Sequence, residues 1–217
     1  MMPARRASSP GSVRLVLDGA VSAGAGPRRA RVVVLASGSG STLQAILDAA
    51  DDATYPALVV AAGTDVKGCR AMERAEARGV ATFAVQLPDF ADRDTWNDAL
   101  ADQIAVFEPD LVVLAGFMRV LAPKVVRRFR IVNTHPAYLP AFPGAHAVRD
   151  ALAAGVDTTG VTVHWVDEGV DTGPVIVAQT VPVLPGDDES SLRERIQAAE
   201  KPLYVNAIRQ ICQELSA

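Results

Sequence analysis

Cysteine and histidine are scarce: two and three residues among 217. Cys69 and Cys212 stand far apart and form no metal or redox spacing, which fits a reduced, cytoplasmic setting. His146 and His164 have no partner at metal-ligand spacing, so no metal is expected. No apolar run reaches the ~18 residues that would indicate a membrane span. The short stretch Val13–Leu17 is broken by Arg14 and followed by Asp18, so it does not read as a secretory signal. No Gly-Lys-Ser/Thr follows the chain's glycine-rich turn at Walker A spacing, and no Gly-x-Ser-x-Gly elbow occurs. The net charge is −4, and residues 1–29 carry five arginines against one aspartate, leaving −8 on the remainder. A domain so acidic is a poor electrostatic partner for nucleic acid.

Residues 1–29 are rich in Ala, Gly, Arg, Ser and Pro and read as a disordered or low-complexity extension. Residues 30–217 read as one globular domain, in a chain with an ordinary 49% hydrophobic and 21% charged composition. From Arg31 the pattern is strand, turn, helix. Val32–Ala36 is a short unbroken apolar run, as a buried parallel strand requires. Leu43, Ile46, Leu47 and Ala50 then share a helical face. Ala57–Ala62 predicts a strand, residues 68–78 a helix ended by Gly79, and residues 80–85 a third strand. Trp96, Leu100, Ile104 and Phe107 recur at helical spacing before Glu108-Pro109-Asp110 and the apolar strand Leu111–Ala115. This alternation predicts a parallel α/β sheet with right-handed crossovers. Further extended runs cover residues 130–133, 160–166 and 174–183. Leu192, Ile196, Ala199 and Leu203 line a closing helix that Pro202 is expected to kink or split.

Two places carry chemistry. Gly38-Ser39-Gly40-Ser41-Thr42 lies between a strand and a helix, where bending glycines, free amides and two hydroxyls suit a phosphate. As a dinucleotide fingerprint it is incomplete, because Leu43 stands where the third glycine belongs. A capped strand-to-helix turn is the plainer reading. Asn133 and His135 alternate at a strand end, so both side chains share a face on the usual ligand side of an open α/β sheet. Pro140, Pro143 and Gly144 stiffen the loop that follows. Asp171 sits in a glycine-punctuated loop, and paired with His135 it would stabilise an imidazolium. Taken singly, Asn133 is also a turn cap, His135 a structural histidine and Asp171 a turn residue.

Taken together, these strings resemble the phosphoribosylglycinamide (glycinamide ribonucleotide) formyltransferases of purine biosynthesis. The match runs in register from about Arg31 to Tyr204. It includes Val34–Ile46, Val113–Leu121, Asn133-Thr134-His135-Pro136, Pro140-Ala141-Phe142-Pro143-Gly144 and Asp171–Ile176. The resemblance implies a Rossmann-like formyltransferase fold: a mostly parallel central sheet flanked by helices, with an antiparallel portion in the C-terminal half. It also implies 10-formyltetrahydrofolate as co-substrate, no metal, small-molecule partners only, and room for a homodimer. Carried over, Asn133, His135 and Asp171 match the catalytic trio. Gly40, Ser41 and Thr42 match the phosphate site, with Glu200 near the sugar or glycinamide. Arg93, Met118, Arg119, Val120, Leu121, Asn133, Val166, Asp167, Glu168, Gly169, Val170 and Asp171 match the folate site, and His146 lies in the loop beside the trio.

Thr42 stands where family members often have Asn, and the Arg119–Asn133 stretch is slightly short. Pro202 is unexpected in a helix, and the chain stops soon after it, so a final element of many relatives is expected to be missing. Rivals on the same fold fit less well. Methionyl-tRNA formyltransferases have Arg-Gly after the Leu-Pro turn and a further RNA-binding domain. Formyltetrahydrofolate deformylases carry a substantial N-terminal regulatory domain and a second His where Pro136 stands. A non-catalytic nucleotide-binding module would not need Asn133, His135 and Asp171 together, and Leu43 argues against a nicotinamide enzyme. The expected chemistry is direct attack of the amine on the formyl carbon through a tetrahedral intermediate.

Overall fold

A computed structural model describes residues 28–216. The reading of residues 1–29 therefore falls mostly outside the described residues. Its last two, Arg28 and Arg29, are tied to the domain: Arg28 pairs with Asp110 at 2.8 Å, and Arg29 donates to the Ala50 and Ala57 carbonyls.

Seven strands form one sheet in the order β3-β2-β1-β4-β5-β6-β7. They are β1 (Ala30–Leu35), β2 (Ala57–Thr64), β3 (Ala81–Ala84), β4 (Leu111–Leu114), β5 (Ile131–His135), β6 (Thr158–Trp165) and β7 (Val175–Pro182). The first five are parallel, whereas β6 runs antiparallel to both β5 and β7. The expected mixed sheet is thus present, with its antiparallel part in the C-terminal half.

Apolar periodicity explains the layers. Along β1, Val32 and Val34 join one core with helix α1 (Ser41–Ala50), α2 (Arg70–Glu76) and α6 (Glu189–Leu215). Val33 and Leu35 point the other way, into a core with α3 (Arg93–Ala105) and α4 (Pro123–Arg128). Both faces of the strand are covered, which is why its sequence is continuously apolar rather than alternating. A smaller cluster joins α5 (Ala147–Ala153) and the first half of α6 to β6 and β7. The short helices α4 and α5 were not among the sequence-based expectations.

Of the two outcomes expected at Pro202, a kink or a split, helix α6 shows no split: it runs helical from Glu189 to Leu215. A proline there removes the hydrogen bond to the Ala198 carbonyl. Both Pro202 and Ala198 are exposed, so the defect lies on the solvent side of the helix. Buried Leu192 and Ile196 before the proline, and Tyr204, Ala207, Ile208 and Ile211 after it, hold both halves to the sheet. Packing outweighs a local defect of about 3 kcal/mol.

Strand order reverses between β1 and β4, since the chain winds outward through β2 and β3 and then returns to add β4 and β5. In open α/β sheets the crevice beyond the carboxyl ends of such strands is the natural ligand site. Tyr204 braces this region from beneath, its hydroxyl lying 3.1 Å from the Leu114 carbonyl and 2.9 Å from that of Val132. Tyr204→Phe is expected to lower unfolding free energy by about 1 kcal/mol in urea melts, the usual worth of one buried hydrogen bond. An unchanged midpoint would show that the hydroxyl does not brace β4 against β5.

Candidate active site

The turn after β1 ends in Gly40, which adopts φ +72° as the N-cap of α1. No side chain caps this helix start, so the amides of Ser41, Thr42 and Leu43 are left for an anion. Gly40 is also a packing requirement: a Cβ there would lie 2.6 Å from the Ala71 backbone. The Thr42 hydroxyl is already engaged, donating to Glu200 Oε1 at 3.0 Å. This contact brings two sequence-predicted residues together across 158 positions. Burial pushes the Glu200 carboxyl up, with the Thr42 hydrogen bond and Lys201 opposing it in part.

The catalytic candidates meet where β5 pairs with β6. Asn133 lies directly opposite His164 in the antiparallel ladder, and His135 ends β5. Asp171 reaches in from the β6–β7 loop, with φ +56° at a non-glycine residue, an unusual conformation that aspartate tolerates better than most. Its Oδ2 lies 3.3 Å from His135 Nδ1 and accepts from the Gly144 amide at 2.8 Å; its Oδ1 lies 3.6 Å from His164 Nε2. Burial pulls this carboxyl upward. The His164 contact, the Gly144 amide and the charges of both histidines outweigh that pull and leave it below the ordinary aspartate range.

His135 is 4% exposed, and its orientation is fixed from the far side. Its Nε2 lies 2.8 Å from the Phe142 carbonyl, an acceptor only, so Nε2 carries a proton. Phe142 has φ +54° in the Pro140–Gly144 loop, which starts with a cis Leu139–Pro140 peptide. Nδ1 is therefore the nitrogen turned toward Asp171. Since both ring nitrogens face acceptors, only the charged ring supplies a proton to each.

His164 is the residue that sequence reasoning missed. It was weighed only as a metal ligand, yet its buried ring adjoins both Asn133 and Asp171. Its Nδ1 lies 2.9 Å from its neighbour's carbonyl, that of Trp165, and its Nε2 lies 3.4 Å from the Asn133 amide nitrogen. The signal lay in strand register: period-2 alternation puts His164 on the face of β6 that lies beside Asn133. His146 is exposed at the start of α5, with no side-chain capping bond.

An apolar cleft follows β4. Arg93, Met118, Arg119, Val120, Leu121 and Glu168 line it with Ala122 and Pro123, uniting half of the folate candidates. Met118 is 76% exposed and Val120 53%, so two large apolar side chains border an open cleft. Arg93 donates to the Val120 carbonyl and closes one wall. Not every candidate faces outward. Leu121 is buried and Val166 packs against the same core. The Asp167 carboxylate is turned into its own loop, accepting from the Gly169 amide and the Thr172 hydroxyl. Val170 is exposed on that loop, and Glu168 pairs with Arg127.

Among the described residues, no group of three or more His, Cys, Asp or Glu could hold a metal ion, and no helix is long and apolar enough to cross a membrane. Cys69 and Cys212 are free and buried.

Two stability measurements follow from this geometry. Gly40→Ala combines a left-handed backbone with overpacking and is expected to cost about 2 kcal/mol or more. Gly38→Ala, where a Cβ meets nothing within 4 Å, is expected to be nearly neutral. Equal losses would remove the packing argument. For Asp171 the folded carboxyl titrates below its unfolded value, so its stabilisation is complete above the ordinary aspartate range. It is lost as pH falls through the lowered folded value. The melting-temperature gap between wild type and Asp171→Asn is therefore expected to narrow on acidification from pH 7; a gap independent of pH would contradict a charge-based role.

Residues 30–208 match the formyl transferase family. The phosphoribosylglycinamide formyltransferase of Mycobacterium tuberculosis is 56% identical over 181 residues, covering 82% of this chain and 83% of that protein. The enzyme of that name from Escherichia coli is 40% identical over 175 residues, covering 80% and 82%. Among solved structures, glycinamide ribonucleotide transformylase 1 of Symbiobacterium toebii superposes with a TM-score of 0.83 at 41% identity, covering 86% of this chain and 89% of that one.

Proposed function

The chain belongs to the formyl transferase family, and from that membership we propose that it moves the formyl group of 10-formyltetrahydrofolate to the primary amine of 5′-phosphoribosylglycinamide. The observation that carries this reading is the convergence of Asn133, His135 and Asp171, with His164 between Asn133 and Asp171, at the end of β5. An uncapped helix start suited to a phosphate lies at the end of β1, and an open apolar cleft suited to a flat ring system lies after β4.

In this reading the ribonucleotide phosphate meets the amides and hydroxyls of Gly40, Ser41 and Thr42. Glu200, tethered by Thr42, faces the sugar or glycinamide portion. The folate lies along Arg93 and Met118–Leu121, against the Val166–Val170 loop. Met118 and Val120 supply the apolar contact, and backbone groups of the two segments supply the polar ones.

The neutral amine attacks the formyl carbon, forming the new C–N bond while negative charge develops on the formyl oxygen. The Asn133 amide donates to that oxygen, and the His135 Nδ1–H, 3.3 Å from Asp171, is shared between the carboxylate and the oxygen. The Phe142 carbonyl holds Nε2, which keeps Nδ1 in the reacting position without a rotamer change. Asp171 stabilises the charged ring, and the excess proton of the attacking amine passes by way of its carboxylate and solvent to folate N10 as the C–N10 bond breaks. Formylated amine and tetrahydrofolate are the products, with one proton moved from amine to N10. No covalent enzyme intermediate is needed, in keeping with a trio that contains no serine or cysteine nucleophile.

An absorbance assay for tetrahydrofolate release, run with and without the ribonucleotide, tests the reading. Turnover only with ribonucleotide is expected; equal turnover without it would make water the acceptor and the chain a deformylase. His135→Ala and Asp171→Asn are each expected to lower kcat by about 10²–10³-fold with little change in ribonucleotide KM. Wild-type turnover in either variant would overturn the assignment.

A further inference from the structure

One buried charge takes no part in the chemistry above. Asp65 stands directly after β2, with a side chain 1% exposed. Its Oδ1 accepts the Ser37 hydroxyl at 2.5 Å, and its Oδ2 accepts Arg119 Nε at 2.6 Å. Ser37 in turn accepts the Met118 amide at 2.9 Å and donates its own amide to the Gly116 carbonyl at 3.0 Å. The carboxylate thus links three neighbouring strand ends, those of β2, β1 and β4, at the point where strand order reverses. On one side it holds the residue that opens the anion turn. On the other it holds the segment that walls the apolar cleft.

Burying a charge here costs stability that an apolar contact would not, and the cost is tolerable only because both oxygens are satisfied. Only a carboxylate presents two acceptor ends. That property fixes the direction of the whole chain of bonds: Ser37 must donate to Asp65, which leaves a Ser37 lone pair for Met118. An asparagine would either present NH₂ to Arg119 and lose that bond or present it to Ser37 and reverse that bond, and in both orientations the ion pair with Arg119 is gone. We propose that Asp65 is a positioning residue for the transfer reaction. It sets the cleft segment Gly116–Leu121 against the anion turn, so that the two substrates are held in one frame.

The proposal rests on the function assigned above, and its test separates the two. Binding of 10-formyl-5,8-dideazafolate, a stable formyl-folate analogue, is measured by calorimetry alongside steady-state turnover in wild type, Asp65→Asn, Arg119→Met and the double variant. Wild type that neither binds the analogue nor turns over would remove the assigned function and this inference together. In an active wild type, each single variant is expected to raise the folate KM and the analogue Kd about tenfold. For Asp65→Asn, ribonucleotide KM and kcat are expected to stay within about threefold. The double variant is expected to be no worse than the poorer single one, because both break the same contact. Unchanged folate KM and Kd in a folded Asp65→Asn protein would overturn the proposal while leaving the assigned function intact. So would effects of the two substitutions that multiply, since Arg119 would then act independently of Asp65. Should Asp65→Asn fail to fold, Arg119→Met breaks the same ion pair from its partly exposed end; an unchanged folate KM in that variant would overturn the proposal equally.

Discussion

The pairing of Asp171 with His135 depends on two strands meeting in opposite directions. Strand β5 delivers Asn133 and His135 at its carboxyl end, as a parallel sheet does. Strand β6 enters antiparallel beside it and places His164 opposite Asn133. The loop beyond β6 then swings Asp171 back over both imidazoles. An all-parallel sheet would send that loop to a helix on the far face. The switch from parallel to antiparallel at β5 is therefore what brings a carboxylate from a distant part of the sequence to the two ring nitrogens.

Much of this was legible in the sequence because the relevant forces are local. Continuous valine and leucine runs announced β1 and β4, and the glycine turn announced the start of α1. Asn133 and His135 could be placed on one face by alternation alone. What escaped depended on which strands pair and in what register. His164 looks like any histidine in an extended run until β6 is laid against β5. Asp65 and Ser37 look like ordinary loop residues until the ends of β1, β2 and β4 converge. The Phe142 carbonyl is a backbone group, which no side-chain motif reveals. Pro202 shows the converse: a local rule allowed a split as well as a kink, and buried residues on both sides of the proline keep the helix in one piece.

The acidic balance of the domain also bears on the site. Both proposed substrates are anions, so their attraction cannot come from net charge. In the proposed reading it comes from fixed local donors: the α1 amides for the phosphate, with Arg93 and Arg119 at the cleft. Arg119 spends part of its charge on Asp65 and Arg93 hydrogen-bonds the Val120 carbonyl. Both cations are thus anchored by the protein before any substrate arrives. Anchoring reduces the freedom each would lose on binding and keeps the cleft in a defined shape.

The same economy governs His135, the proposed catalytic histidine. A free imidazole near a carboxylate can rotate, change tautomer and present either nitrogen. Here the Phe142 carbonyl removes that choice by occupying Nε2, which leaves Nδ1 turned to Asp171. Asp171 in turn is held by the Gly144 amide from the loop that carries Phe142. One loop therefore fixes both members of the pair, and a shift of that loop would misplace acid and carboxylate together. Transition-state stabilisation by oriented donors requires such prior placement, because a donor that must first be oriented gives back in reorganisation much of what it contributes. Direct transfer without a covalent intermediate makes that demand stricter, since the protein's share of the catalysis then lies in position and charge.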